Sequence, residues 1–194
     1  MLIHDALVHS KILLKAFPSI KLIQMEKNPI ELAYSWLNRN FGSKAYQKDR
    51  VGILTFKLRN RILPWYVYGW ENKYLKLKEP DKIVYILEKL INKQNHEYSK
   101  LGKNKKRILH IFFEKFITEP EVCSKKIENF LGLKRTNYSK IFLKTNYCPR
   151  ILQKKKYDYK KNFLKKKLSS ETFKKLLVME KNYSKKIKFK KLYI

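Results

Sequence analysis

An α/β fold, built as a parallel sheet with flanking helices, is what the sequence predicts, and three observations carry that expectation. Residues 21–35, K-L-I-Q-M-E-K-N-P-I-E-L-A-Y-S, read as a strand, a tight turn and a helix. Residues 80–113 read as a long helix, a basic turn and a second apolar strand. The chain has 194 residues, which suits one domain with a sizeable core. Strands alternating with helices are most economically joined as a parallel sheet with crossover helices.

Taken in order, residues 6–17 carry Leu7, Ile12, Leu13, Leu14 and Ala16 in a broadly apolar helical pattern that Pro18 ends. Leu22, Ile23, Gln24 and Met25 follow as a short buried strand. Asn28 and Pro29 then supply a helix cap and a first-turn proline. In the helix that follows, Ile30, Ala33, Tyr34 and Leu37 share an apolar stripe, and Glu31, Ser35 and Asn38 share a polar one.

Residues 41–79 lose any clear period. Trp65, Tyr66, Tyr68, Trp70 and Tyr74 cluster there with Gly69, between Arg59, Arg61 and Lys73. Such a cluster stacks on bases or sugars in some proteins, but aromatics are large apolar groups first, so core packing is the favoured reading.

Residues 80–101 form the longest regular helix, with Ile83, Ile86, Leu87, Leu90 and Ile91 as its buried stripe and Gly102 as its stop. Residues 107–113, R-I-L-H-I-F-F, make the second strand. A further helix closes on Gly132 as its C-cap. Residues 134–168 give no clear element. A last amphipathic helix spans residues 169–186, with Phe173, Leu176, Leu177 and Met179 near its apolar face, Ser169 or Ser170 as cap and Glu171 in the first turn.

The net charge is +30, a field that attracts polyanions. Nearly all of the positive charge is lysine, spread over the chain and accompanied by Asn, Ile and Tyr, a mixture that A/T-rich coding would write. Readers of base edges lean on arginine, so a solvated basic surface is favoured over selected nucleic-acid recognition. Cys123 and Cys148 lie far apart with no metal-ligand or redox spacing and read as free thiols. No secretory h-region and no membrane span is visible, so a cytoplasmic, reducing compartment is expected. The N-Y-S triplets at Asn137 and Asn182 are then chance matches.

Lys27 sits where the first strand ends. A cation there, the N–H groups of a helix start and the Ser35 hydroxyl two turns on make a phosphate site. In this frame, K-N-P-I-E-L-A-Y-S resembles the R-N-P-x-x-x-x-x-S of the sulfotransferase family. The resemblance implies that Lys27 and Ser35 hold the 3′-phosphate of the donor, 3′-phosphoadenosine 5′-phosphosulfate (PAPS). Lysine in place of arginine keeps the charge and loses the planar fork.

A second stretch is similar to the same family. F-F-E-K-F-I-T-E-P, residues 112–120, and C-S-K-K-I-E-N-F-L-G-L, ending at Leu133, resemble its Y-E-D-L-x-x-D-P run and the helix closing on F-L-G-L. Phe113 stands where some members carry a tyrosine near the donor's adenine. Glu114 is read as structural, accepting backbone N–H groups at the strand end. By the same resemblance His4 is the candidate general base, with His9 as a rival. Arg150, Lys154 to Lys156, Lys160 and Lys161 are candidates, by charge, for late contacts to the donor.

The family's P-K-S-G-T-T or P-R-S-G-S-T turn, which holds the 5′-phosphosulfate, has no counterpart here, since none of Gly42, Gly52, Gly69, Gly102 or Gly132 heads one. The resemblance therefore implies a P-loop-kinase-like, sulfotransferase-like sheet that is N-terminally truncated. Residues 1–194 would be one partial domain, with a recognisable core over 1–133 and a basic extension over 134–194. The implied activity is sulfuryl transfer from PAPS to a hydroxyl or amine acceptor, a carbohydrate among the options, with no metal and no turnover by the isolated chain. The alternative is a basic nucleic-acid or polyanion-binding protein without catalysis.

Overall fold

Alternation of apolar strand and helix produces the element order of the computed structural model, which describes residues 6–41, 54–187 and 193. The order is α1 (Ser10–Ala16), β1 (Leu22–Glu26), α2 (Pro29–Asn38), β2 (Thr55–Leu58), β3 (Arg61–Pro64), α3 (Glu71–Lys76), α4 (Glu79–Ser99), β4 (Ile108–Phe112), α5 (Phe113–Thr118), α6 (Pro120–Leu131), α7 (Asn137–Thr145), α8 (Lys154–Lys167) and α9 (Ser170–Ile187). The protein is α/β and predominantly helical. Its parallel sheet is small, with β1 and β4 paired from Leu22 opposite Ile108 to Glu26 opposite Phe112. Among the described residues, no helix is long and apolar enough to cross a membrane.

The chain divides into two compact units, the first comprising the described parts of Met1–Asn28, Lys93–Tyr157 and Ile187–Ile194, the second Pro29–Asn92 and Asp158–Lys186.

In the first unit, Leu7, Leu14, Leu22, Leu101 and Ile108 form a buried cluster, with Leu13, Ile20 and Tyr98 packed against it. Burying these side chains is the main favourable term holding α1 against the strands. Arg107 secures the same junction through hydrogen bonds. Its guanidinium donates to the carbonyls of Leu14 (3.2 Å), Phe17 (2.6 Å) and Ile20 (3.1 Å). One planar fork thus holds the last turn of α1, through Leu14, to the segment that leads into β1. α1 is shorter than the helix expected over residues 6–17, because the turn from Ala6 precedes Ser10. α6 ends as its sequence predicts, with Gly132 left-handed at φ 74° and its N–H donating to Glu128.

The second unit contains what residues 41–79 concealed. Thr55–Leu58 and Arg61–Pro64 form an antiparallel hairpin whose turn places Arg59 at φ 52°. A short 3₁₀ turn over Trp65–Val67 and α3 follow it. Leu63, Val67, Tyr74, Ile86 and Leu90 are the core, with Trp36, Phe56, Trp65, Tyr66 and Trp70 partly buried against it. The aromatic cluster therefore packs as core, and Tyr68 alone of the five named aromatics is mostly exposed. In α4, Ile83, Ile86, Leu87 and Leu90 of the predicted stripe are buried, Ile91 is half-buried, and Val84, outside that stripe, is buried as well. The hydroxyl of Ser169 caps α9 by accepting the N–H of Thr172 (3.4 Å), while the Ser169 N–H donates to Asp81 (2.9 Å). Tyr85 is buried and donates to Glu171 Oε1 (2.9 Å), with Lys73 and Lys175 over its ring.

Between Leu133 and Ser169 the chain forms α7 and α8, where the sequence showed no clear element. Lysine is a good helix former, so a few buried anchors suffice to order α7 and α8. Leu143 in α7, and Tyr157 and Leu164 in α8, are those buried residues.

Candidate functional site

Two strands that run parallel in register deliver their next residues to the same end of the sheet. Because Glu26 lies opposite Phe112, the residues leaving β1, Lys27 and Asn28, lie beside those leaving β4, Phe113 and Glu114. The Lys27 Nζ stands 4.9 Å from the centroid of the Phe113 ring. Carboxyl ends of parallel strands are where open α/β sheets place ligands. Here that end offers a cation beside a half-buried aromatic face, the two surfaces that a nucleotide's phosphate and base require.

A buried hydrogen bond underlies these two residues. The backbone N–H of Asn28 donates to Glu114 Oε1 at 3.0 Å, and both residues are only 1% exposed. This contact matches the structural role read for Glu114 from the sequence. It ties the turn after β1 to the first turn of α5, and so fixes Lys27 against Phe113.

The remaining predicted residues belong to other segments of the chain. Ser35 lies half-buried on α2, in the second unit. His4 lies outside the described residues. Of the late cations, Lys160 is hydrogen-bonded to Glu31 (2.6 Å) and Lys161 to Glu180 (3.1 Å). Arg150 donates to the carbonyl of Asn146 (3.0 and 2.6 Å), and Lys154, Lys155 and Lys156 are exposed. The contacts of Lys160, Lys161 and Arg150 account for these side chains within their own units.

One pair was invisible to sequence reasoning. His110 Nδ1 lies 2.7 Å from Glu26 Oε1, and the His110 ring meets Tyr98 edge-on at 4.7 Å. Its Nε2 is buried with no hydrogen-bond partner. The Glu26 carboxylate at Nδ1 holds the orientation of the imidazole ring. Glu26 and His110 are 84 residues apart, and only the strand register brings them together. Among the described residues, no group of three or more His, Cys, Asp or Glu side chains is placed to hold a metal ion.

Comparison of the chain with protein-family models, with curated proteins and with solved structures finds no match.

Proposed function

We propose that this chain is a sulfotransferase-family protein that binds the adenosine 3′,5′-bisphosphate portion of PAPS at the carboxyl ends of β1 and β4. In this reading the sheet is the surviving part of a P-loop-kinase-like fold. The observation that carries it is the Lys27 ammonium standing 4.9 Å over the Phe113 ring, above the buried Asn28–Glu114 hydrogen bond. Lys27 supplies charge to the 3′-phosphate and Phe113 an apolar face to the adenine. The resemblance adds Ser35 as a second phosphate contact and His4 as base. The reaction moves the sulfuryl group from the phosphosulfate to an acceptor hydroxyl or amine, whose proton leaves to the base, and releases adenosine 3′,5′-bisphosphate. A reducing, cytoplasmic setting agrees with the two free thiols.

Binding is the readout to use, because the sequence carries no counterpart of the phosphosulfate-holding turn. Titration calorimetry with adenosine 3′,5′-bisphosphate is expected to give uptake that Lys27→Ala weakens about tenfold or more and Ser35→Ala reduces. Lys27→Arg is expected to tighten binding, since it restores the fork. No uptake by the unaltered chain, or uptake indifferent to Lys27→Ala with Ser35→Ala, sinks the proposal. Retention on DNA that falls steeply with salt and ignores both substitutions supports the polyanion-binding reading instead.

A further inference from the structure

A run of exposed apolar side chains in the first unit lies on α7 and its flanks. Leu133 (65% exposed), Tyr138 (81%), Ile141 (59%) and Phe142 (64%) are large side chains turned to solvent within one short segment. Their spacing on α7 is helical, since positions 138, 141 and 142 share a face, while Leu143 faces inward and is buried. Leu133, Tyr138 and Phe142 also line one open groove of about 520 Å³, together with Phe116, Ile127 and Leu131 of α5 and α6. The exposed side chains thus form a patch, which on a soluble surface marks a contact. Tyr147 and Ile151, just beyond the helix, are exposed too.

Charge selects the occupant. From Gly132 to Tyr157 the sequence has no acidic residue, whereas Lys134, Lys140, Lys144 and Arg150 are exposed around the patch. Lys140 and Lys144 stand one turn apart on α7, with Lys144 next to Ile141 around the helix. Arg135 is the exception, since Glu121 (2.8 Å) and Glu128 (2.6 Å) pair it. A short helix with aliphatic and aromatic side chains on one face, tyrosines at its margins and unopposed lysines beside it has the composition of an interfacial element. Apolar groups enter the acyl boundary, phenol hydroxyls stay in the headgroup layer, and lysines meet anionic lipid.

We propose that α7 and its flanks form a peripheral docking surface for an anionic bilayer. The patch is independent of the Lys27 and Phe113 site, neither of which lines its groove.

The test is co-sedimentation of the full chain with phosphatidylcholine vesicles, with and without roughly 30% phosphatidylserine. Binding is expected with the anionic vesicles only and is expected to weaken as salt rises. Ile141→Asp with Phe142→Asp is expected to weaken it about tenfold or more, and so is Lys140→Glu with Lys144→Glu. Lys181→Glu with Lys185→Glu, an equal charge change at exposed positions of α9, is expected to leave it within about threefold. All altered side chains are exposed, and circular dichroism matching the unaltered chain verifies folding. No binding to the anionic vesicles overturns the proposal. So does an equal loss in the α9 control, which would reduce the effect to net charge. Vesicle binding that survives Ile141→Asp with Phe142→Asp, while that variant abolishes self-association or DNA binding, assigns the patch to a second copy or to nucleic acid and also overturns it.

Discussion

The backbone N–H of Asn28 donates to the buried Oε1 of Glu114 across the ends of two parallel strands, at 3.0 Å. Removing the acceptor takes this buried hydrogen bond from the Asn28 N–H, a loss of about 1–3 kcal/mol. Glu114→Ala is therefore expected to lower the unfolding free energy from denaturant titration by about that amount and to weaken adenosine bisphosphate uptake, because Lys27 loses its fixed position. Glu114→Gln keeps an acceptor oxygen, so a smaller stability loss is expected. Equal losses in the two variants would show that the hydrogen bond does not set the cost.

Gly132 tests a backbone term in isolation. It is left-handed at φ 74°, and an added Cβ would meet nothing within 4 Å. Gly132→Ala thus introduces no clash, and the expected loss of about 1 kcal/mol comes from the conformation alone. Thermal unfolding is expected to show a fall of a few degrees. A larger fall would mean that the Gly132 N–H to Glu128 contact had also been disturbed.

Tyr85 makes stability depend on pH at the alkaline end. Burial, reinforced by its hydrogen bond to Glu171, pushes the phenol from 10.0 up to about 12. The folded state thus holds the proton more tightly than the unfolded state does. The stabilising contribution is complete below the ordinary phenol pKa and is lost as pH rises through the folded value. The stability difference between the unaltered protein and Tyr85→Phe is expected to shrink between pH ~10 and pH ~12. A difference that holds constant or grows contradicts the assignment.

The two thiols are expected to react in a fixed order. Cys123 is buried, and that burial raises its thiol pKa, whereas Cys148 is only partly enclosed. Iodoacetamide is expected to alkylate Cys148 about tenfold faster or more in the folded protein and to reach Cys123 after unfolding, as peptide mass mapping would show. Prior labelling of Cys123 would refute the packing of α6.

What the sequence made legible follows from how far apart the informative residues are. Local signals were readable, among them the α4 stripe, the Gly132 cap, the Ser169 cap, and the two apolar runs that became β1 and β4. The hairpin at Thr55–Leu58 and Arg61–Pro64 escaped because its residues do not alternate cleanly. Ile62 is exposed and Leu63 and Pro64 are both buried, so no period of two marks the strand. α8 escaped because its few apolar anchors are diluted by lysines. At the site, Lys27 was readable as the cation where a strand meets a helix. Its contact with Phe113 and the His110–Glu26 pair depend on strand register, which no local pattern encodes.

The parallel pairing of β1 with β4 also governs how quickly the chain reaches this state. No turn links the two strands, and everything from Lys27 to Arg107 must be looped out before Leu22 meets Ile108. That closure costs chain entropy before any ladder hydrogen bond forms. In refolding, helical ellipticity is set to return first, carried by α4 and α9, whose backbone hydrogen bonds are local. The strand ends that bring Lys27 to Phe113 come together late, so that contact is among the last features the molecule regains.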